Sequence, residues 1–321
     1  MIKSKLPFAL DYVTKRLAAD IVTIKRFSSG IINESYLLKF KNKKQLVIRI
    51  YNTERKLKDV IREIKIMEQL QKKGIPIPKI YNIKNKKFLR FKDENKKKRV
   101  AICMEFIDGS ELKSNDYNLI KVCACTQAKM HDLLSNNKIS FKNRQRGILK
   151  IKKWMDNEVF DVLHNKNIKD NIKDEISKRY EDILKEWSKN KKVFTALPFG
   201  MVHSDYDSSN ILIKNGNIAG IIDFDDITQA PLIVDLGFSL WWWLFFNFKK
   251  NSLKVGKDYI RAYSQTRKLT KKEEDLLSLV IRIRNMILLC LLFVNHSSKI
   301  QENKIKQALS FDTLLINNSI N

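Results

Sequence analysis

Cysteine is scarce in this chain, with four in 321 residues, and none of the four stands at a metal-ligand spacing. Cys103, Cys123, Cys125 and Cys290 lie in apolar stretches. They are expected as reduced core residues, which leaves out a disulfide framework and a zinc site. A secretory leader is not expected either, because MIKSKLPFALDYV shows no apolar core and no cleavage site, and the expectation is a cytoplasmic protein. Apolar runs fall short of what a bilayer needs. Residues 236–248 are too few to span, and 277–294 carries Arg282 and Arg284 in its middle. Both are expected as buried helices, with no membrane partner. Neither an internal repeat nor a low-complexity linker occurs. Acidic residues are outnumbered, 35 Asp and Glu against 62 Lys and Arg, for a net charge of +27. Such a field suits nucleic acid or an anionic surface. The lysines, however, are spread over nearly every segment, which reads as biased composition. Nucleic acid is therefore not expected as a partner, although a phosphorylated nucleotide would be attracted in either case.

What is present suits a soluble globular protein of two domains or two lobes, with 44% hydrophobic and 30% charged residues. The stretch that organises it is 199–226, FGMVHSDYDSSNILIKNGNIAGIIDFDD. His203, Asp205 and Asn210 share one short loop. Asn215-Gly216 between two β-branched runs predicts a hairpin, which would bring Asn210 and Asp223 together at its open end. An amide and a carboxylate oxygen near a third carboxylate suit Mg²⁺, a hard cation that keeps several waters. With Asp205 to take a proton from an attacking hydroxyl, the set fits phosphoryl transfer, a reaction carried by positioning and charge neutralisation. The same residues also fit Asx-type turns. A β-rich first third and an apolar strand running into a polar break favour the enzyme.

That first third reads as a short amphipathic helix over 6–19, then strands over 21–27, 35–40 and 45–51. Ser28, Ser29 and Gly30 are candidates to lay backbone N–H groups over phosphates, with a lone glycine as the signal. A helix is predicted over 57–73, its stripe formed by Val60, Ile61, Ile64, Met67 and Leu70, and its end set by Gly74, Pro76 and Pro78. Glu63 lies beside that stripe and by itself reads as a solvated carboxylate. A hairpin pairs 86–91 with 98–106, and the polar break 107–110 marks the boundary between lobes, a usual place for a ligand cleft. Beyond it, helices are predicted over 118–134, through much of 134–196, and over 230–248, 273–294 and 301–315. His131 reads as a packed or capping residue, and Trp154 and Trp187 as anchors.

The central stretch resembles the catalytic and metal loops of the aminoglycoside phosphotransferase/choline kinase superfamily, in the pattern H-x-D-x4-N followed by I-D-F. His203, Asp205, Asn210, Ile222, Asp223 and Phe224 match it position by position. The resemblance implies an α+β, two-lobed, protein-kinase-like fold, with a small β-rich N-terminal lobe over 1–107 and a larger helical lobe over 108–321. It also implies an ATP-dependent small-molecule kinase using Mg²⁺. Asp205 would be the catalytic base, and Asn210 and Asp223 the metal ligands. Gly30, with Asn33 and Tyr36, is similar to the nucleotide-loop strand pair. Arg49 stands where the family places its phosphate-binding Lys or Arg, with Glu63 at the position of its ion-pair partner. Glu105 and Ile107, in MEFIDG, resemble the hinge that meets adenine through backbone groups. Asp235 resembles the buried aspartate that braces the catalytic loop, and His203 would be structural. Arg at position 49 departs from the Lys of the aminoglycoside enzymes, and Asp225 from the glycine of protein kinases. The acceptor stays open among homoserine-, choline- and sugar-like metabolites and an aminoglycoside-type antibiotic. Trp241, Trp242 and Trp243 would be a cage for choline or simply core. Oligomeric state is open, and the alternative to an enzyme is a catalytically idle, basic kinase-like protein that binds nucleic acid or acts as a scaffold.

Overall fold

The computed structural model describes residues 7–17, 20–27, 32–135, 141–247, 252–295 and 300–317. The chain begins with α1 (Phe8–Thr14), β1 (Ile21–Arg26), β2 (Glu34–Phe40), β3 (Gln45–Ile50) and α2 (Leu57–Lys72). Then come β4 (Ile80–Tyr81), β5 (Leu89–Lys92), β6 (Lys98–Glu105) and β7 (Ser110–Glu111). A helical stretch follows, with α3 (Ile120–Leu134), α4 (Phe141–His164) and α5 (Asp170–Ala196). Four short strands come next: β8 (Phe199–Val202), β9 (Ile211–Lys214), β10 (Asn217–Ile221) and β11 (Thr228–Pro231). The chain closes with α6 (Leu232–Phe246), α7 (Ser252–Thr266), α8 (Lys271–Asn295) and α9 (Ile300–Asn317). Two compact units result, Met1–Ser110 with Leu212–Asp225, and Glu111–Ile211 with Asp226–Asn321. A boundary at 107/108 would leave 212–225 with the second unit, whereas the chain folds it into the first.

In the first unit β1-β2-β3-β6-β4 form an antiparallel sheet, with β5 also on β6. Alternation along β2 and β3 sends Tyr36, Leu38 and Phe40, with Leu46, Ile48 and Ile50, to one face. Ala9, Leu10 and Val13 of α1 share that cluster, as do Ala101 and Cys103 of β6. β6 itself does not alternate. Val100 to Met104 are all buried, as expected of a strand covered on both faces. Burial pushes the Cys103 thiol up to about 12, which suits an inert core residue. β9 and β10 form the expected hairpin. Asn215 and Gly216 both take positive φ, 51° and 72°, as a tight turn matched to strand twist requires.

The second unit is built on helix pairs, α3 against α7, α6 against α7 and α8, and α4 against α5 and α8. α6 is buried from Leu232 to Phe245, as a helix apolar all round must be. Trp241, Trp242 and Trp243 are therefore core: Trp241 stacks on Phe245 at 4.7 Å and donates to Asn285 Oδ1 at 3.0 Å. β8 and β11 pair antiparallel, Val202 opposite Thr228. The runs 236–248 and 277–294 fall largely in α6 and α8, and no helix among the described residues is long and apolar enough to cross a membrane. Gly237 sets how closely α6 and α8 approach, since a Cβ there would stand 2.5 Å from Val280 Cγ1. Gly237→Ala is expected to destabilise the protein by about 1–3 kcal/mol. Urea unfolding checks this, and a Gly237→Ala/Val280→Ala double variant is expected to recover part of the loss.

Candidate active site

The loop after β8 is held by one buried carboxylate. Asp235, in the first turn of α6, accepts the Ser204 N–H at 2.6 Å, and its other oxygen lies 2.9 Å from His131 Nε2 and 3.3 Å from Gln127 Nε2. Burial opposes this charge, but the hydrogen bonds from His131 and Ser204, with His203 nearby, hold the carboxyl below the usual carboxylate range. The brace has a purpose that the backbone shows. Ser204 sits at φ 72°, a conformation that a non-glycine residue keeps only when its surroundings fix it. Tyr206 adds two anchors, donating to the Cys123 carbonyl at 3.0 Å and accepting from Ser239 Oγ at 2.8 Å. His203 is buried and meets Tyr206 edge-on, with ring centroids 6.2 Å apart.

Asp205 emerges from this loop with a 36% exposed side chain. Asn210 Nδ2 donates to both its carbonyl and its Oδ2, each at 2.9 Å. The Asn210 amide is thus oriented with its nitrogen spent on Asp205, which turns the carbonyl oxygen away as a hard donor for a cation. Asp205 Oδ1 accepts from Arg284 Nη2 of α8 at 2.9 Å. Nothing in the local sequence announces that arginine, 79 residues away.

In the first unit Arg49 extends from β3 to the end of the β10 segment. Its Nη1 donates to Asp223 Oδ1 at 3.0 Å and to Asp225 Oδ1 at 2.8 Å. Burial works against the guanidinium charge, but these two carboxylates more than offset it, and its pKa stands above the usual arginine value. Asn33 donates to the other Asp225 oxygen and accepts the Asn52 N–H at 2.9 Å. Asp223 takes φ 62°, a second left-handed non-glycine position at a candidate site residue. Two carboxylates already converging on a cation are a donor set that fits a metal. Among the described residues, no group of three or more His, Cys, Asp or Glu is gathered for one.

Arg49 and Glu63 do not pair. Glu63 is buried on α2 and takes Arg55 Nη2 at 2.9 Å and the Tyr51 hydroxyl at 2.8 Å. The reason is geometric. The 51–56 connection delivers Arg55 to the inner side of α2, while Arg49 is drawn to the two aspartates. Glu63 is therefore no solvated helix carboxylate. The expected hinge is an ordered strap: the Glu105 N–H donates to the Lys79 carbonyl at 2.8 Å. Ile107 lies so close over Gly220 that a Cβ there would meet its Cγ2 at 2.9 Å. Gly30 lies outside the described residues. The sequence does not assign Gln127, Arg55 or Arg284 to the site and reads His131 only as packed or capping; the pair Arg282 and Arg284 in an apolar run stands out, but not the partner of either.

Comparison with known proteins identifies the family. A sequence model of the phosphotransferase enzyme family matches residues 23–271. A homoserine kinase from Rhizobium meliloti (strain 1021) is 22% identical over 276 residues, 85% of this chain and 80% of that one. Among solved structures, an amicoumacin kinase in complex with AMP-PNP and Ca²⁺ superposes with TM-score 0.73 at 14% identity, covering 97% of this chain and 94% of that one. A choline kinase from Cryptosporidium parvum Iowa II gives 0.64 at 17% identity, covering 97% and 96%. The chain belongs to the phosphotransferase enzyme family, has the kinase-like fold, and is a phosphotransferase that acts on a hydroxyl-bearing acceptor.

The Glu63 environment makes a pH prediction. Burial, with Asp225 nearby, raises its carboxyl from the usual 4.5 to about 7 against the opposing pull of Arg49, Tyr51 and Arg55. A folded-state pKa above the unfolded one means stability that is full below pH 4.5 and lost as pH rises through 7. Glu63→Gln, which keeps an acceptor for Tyr51, is expected to flatten the fall in unfolding free energy across that window. Denaturant unfolding at a series of pH values measures it, and an unchanged slope would place the titration elsewhere.

Proposed function

We propose that this phosphotransferase is an ATP- and Mg²⁺-dependent kinase of a small hydroxylated metabolite, of the homoserine class named by its curated relatives. The observation that carries the reading is the Asp205 loop. A half-exposed carboxylate is fixed by Asn210 on a loop that a buried Asp235 holds in a strained conformation. In the proposed step the acceptor oxygen attacks the γ-phosphorus and the bond to the β-phosphate oxygen breaks. ADP leaves, and Asp205 takes the hydroxyl proton. Asn210 and Asp223 would hold Mg²⁺, which when bound neutralises charge on the phosphates. Arg49 would exchange Asp223 and Asp225 for nucleotide phosphate, and Glu63 would serve it through Arg55 and Tyr51 instead of by direct pairing. Glu105 and Ile107 would offer backbone groups to the base, with Gly30 in the phosphate loop. The lobes at 1–107 and 108–321 are proposed with the hairpin 212–225 assigned to the nucleotide side.

Homoserine is favoured over choline because Trp241, Trp242 and Trp243 are committed to the core and leave no cage of their own. Asp205→Asn is expected to lower turnover by roughly 10²–10⁴-fold. Nucleotide at ~100 times its Kd should still stabilise the variant by about 2.7 kcal/mol. Coupled ADP-release assays and melting curves with Mg²⁺-ATP test both parts. A variant that turns over at the wild-type rate would remove Asp205 from the chemistry, and a melting curve insensitive to Mg²⁺-ATP in the unaltered chain would end the kinase reading.

A further inference from the structure

We infer that Arg284 recognises the acceptor, binding a carboxylate on the hydroxylated substrate through the guanidinium edge that Asp205 leaves open; the inference rests on reading Asp205 as the base. α8 carries two arginines in an apolar stretch, and the two are used differently. Arg282 is spent within the fold, with Nε and Nη2 on Asp312 at 3.0 and 3.4 Å and Nη1 on Glu186 at 3.0 Å. Arg284 is as deeply buried, its side chain 7% exposed, yet among the described residues its hydrogen bond goes only to Asp205 and its Nε–H is buried with no acceptor. A structural arginine with five donors is normally satisfied more fully than this. The proposed base accepts from Nη2 alone and leaves the other guanidinium donors unused among the described residues. An arginine matches a carboxylate through two parallel N–H groups, so the remaining edge fits a second, incoming carboxylate.

The surroundings decide the sign of the acceptor. The Arg284 guanidinium lies 4.8 Å from the ring centre of Phe238 and 5.6 Å from that of Trp154. These aromatic faces, beside the proposed base, are where an ammonium group of a cationic acceptor would gain most, and the chain's own cation occupies them. Two carboxylates face it: Asp205, and Asp207, whose Oδ1 is occupied by the Ser209 N–H at 3.1 Å and hydroxyl at 2.9 Å. The rival assignment gives Arg284 the sole task of neutralising these two, with a cationic acceptor drawn by them. The two assignments differ in which acceptors are used.

Three probes share the reacting hydroxyl: L-homoserine, its carboxamide, and 3-amino-1-propanol, which is L-homoserine without the carboxylate. Initial rates of ADP release with the full chain are expected to favour L-homoserine over either other probe by ~30-fold or more in kcat/KM. Arg284→Gln is expected to raise KM for L-homoserine by a similar factor and erase the preference, and Arg284→Lys to restore part of it. Equal use of the three probes overturns the inference. So does an Arg284→Gln variant that loses kcat while KM and the preference stay unchanged, since Arg284 would then only position Asp205. Should that variant fail to fold, the wild-type preference and competitive inhibition by 4-hydroxybutyrate against its amide decide the matter without it. If none of the probes is phosphorylated, calorimetric binding of L-homoserine and its carboxamide to the wild type and to Arg284→Lys separates the two readings. Carboxylate-selective binding weakened by the substitution keeps the inference while the homoserine-class kinase falls, and equal or absent binding overturns the inference.

Discussion

The buried charge of Asp235 is the constraint on which the candidate site depends. A carboxylate removed from water is costly unless hydrogen bonds replace its solvation, and here Ser204, His131 and Gln127 replace it. His131 is held in turn by the Tyr263 hydroxyl at 2.5 Å, and Tyr263 meets Arg267, which pairs with Glu273 at 2.6 Å. A chain of polar side chains thus runs from the start of α8 through α7 and α3 to the loop that carries Asp205. Each link leaves its neighbour unsatisfied if removed, which makes such a network rigid. That rigidity lets Ser204 keep an unfavourable backbone conformation and Asp205 a fixed direction.

The two units show the same electrostatic arrangement at their candidate site carboxylates. Arg49 rests on Asp223 and Asp225 in the first, and Arg284 on Asp205 in the second. Both arginines are nearly buried, and both retain an Nε without a partner among the described residues. In the proposed reading, each carboxylate set would be neutralised until ligands arrive, and its arginine would then have donors for an anionic partner. In this account one would meet nucleotide phosphate and the other an acceptor carboxylate. The overall +27 charge adds long-range attraction for such anions, but these two buried cations supply the direction.

Much of the fold was legible because local patterns carried it. The stripe on α2, the Asn215-Gly216 turn and the unbroken apolar character of β6 and α6 each follow from side-chain period and turn chemistry. The β8–β11 pair was not foreseen, since two strands of four residues look like the ends of their neighbours until they meet. Nor was α7, whose Gly256 interrupts the pattern. At the site, the motif named Asp205, Asn210 and Asp223, but partner choice escaped it. Arg49 and Arg55 lie six positions apart, and only the path of the chain after β3 decides which one reaches Glu63. Arg284 comes from a helix read as plain core, because nothing local tells a buried arginine what anion it faces.

The most direct test of the account is to follow the phosphate itself. Phosphorus NMR of the full chain with Mg²⁺-ATP and L-homoserine is predicted to show the γ-phosphate resonance replaced by that of a phosphate monoester, in step with ADP. ATP that stays intact with L-homoserine, or that yields inorganic phosphate and no ester, would contradict it.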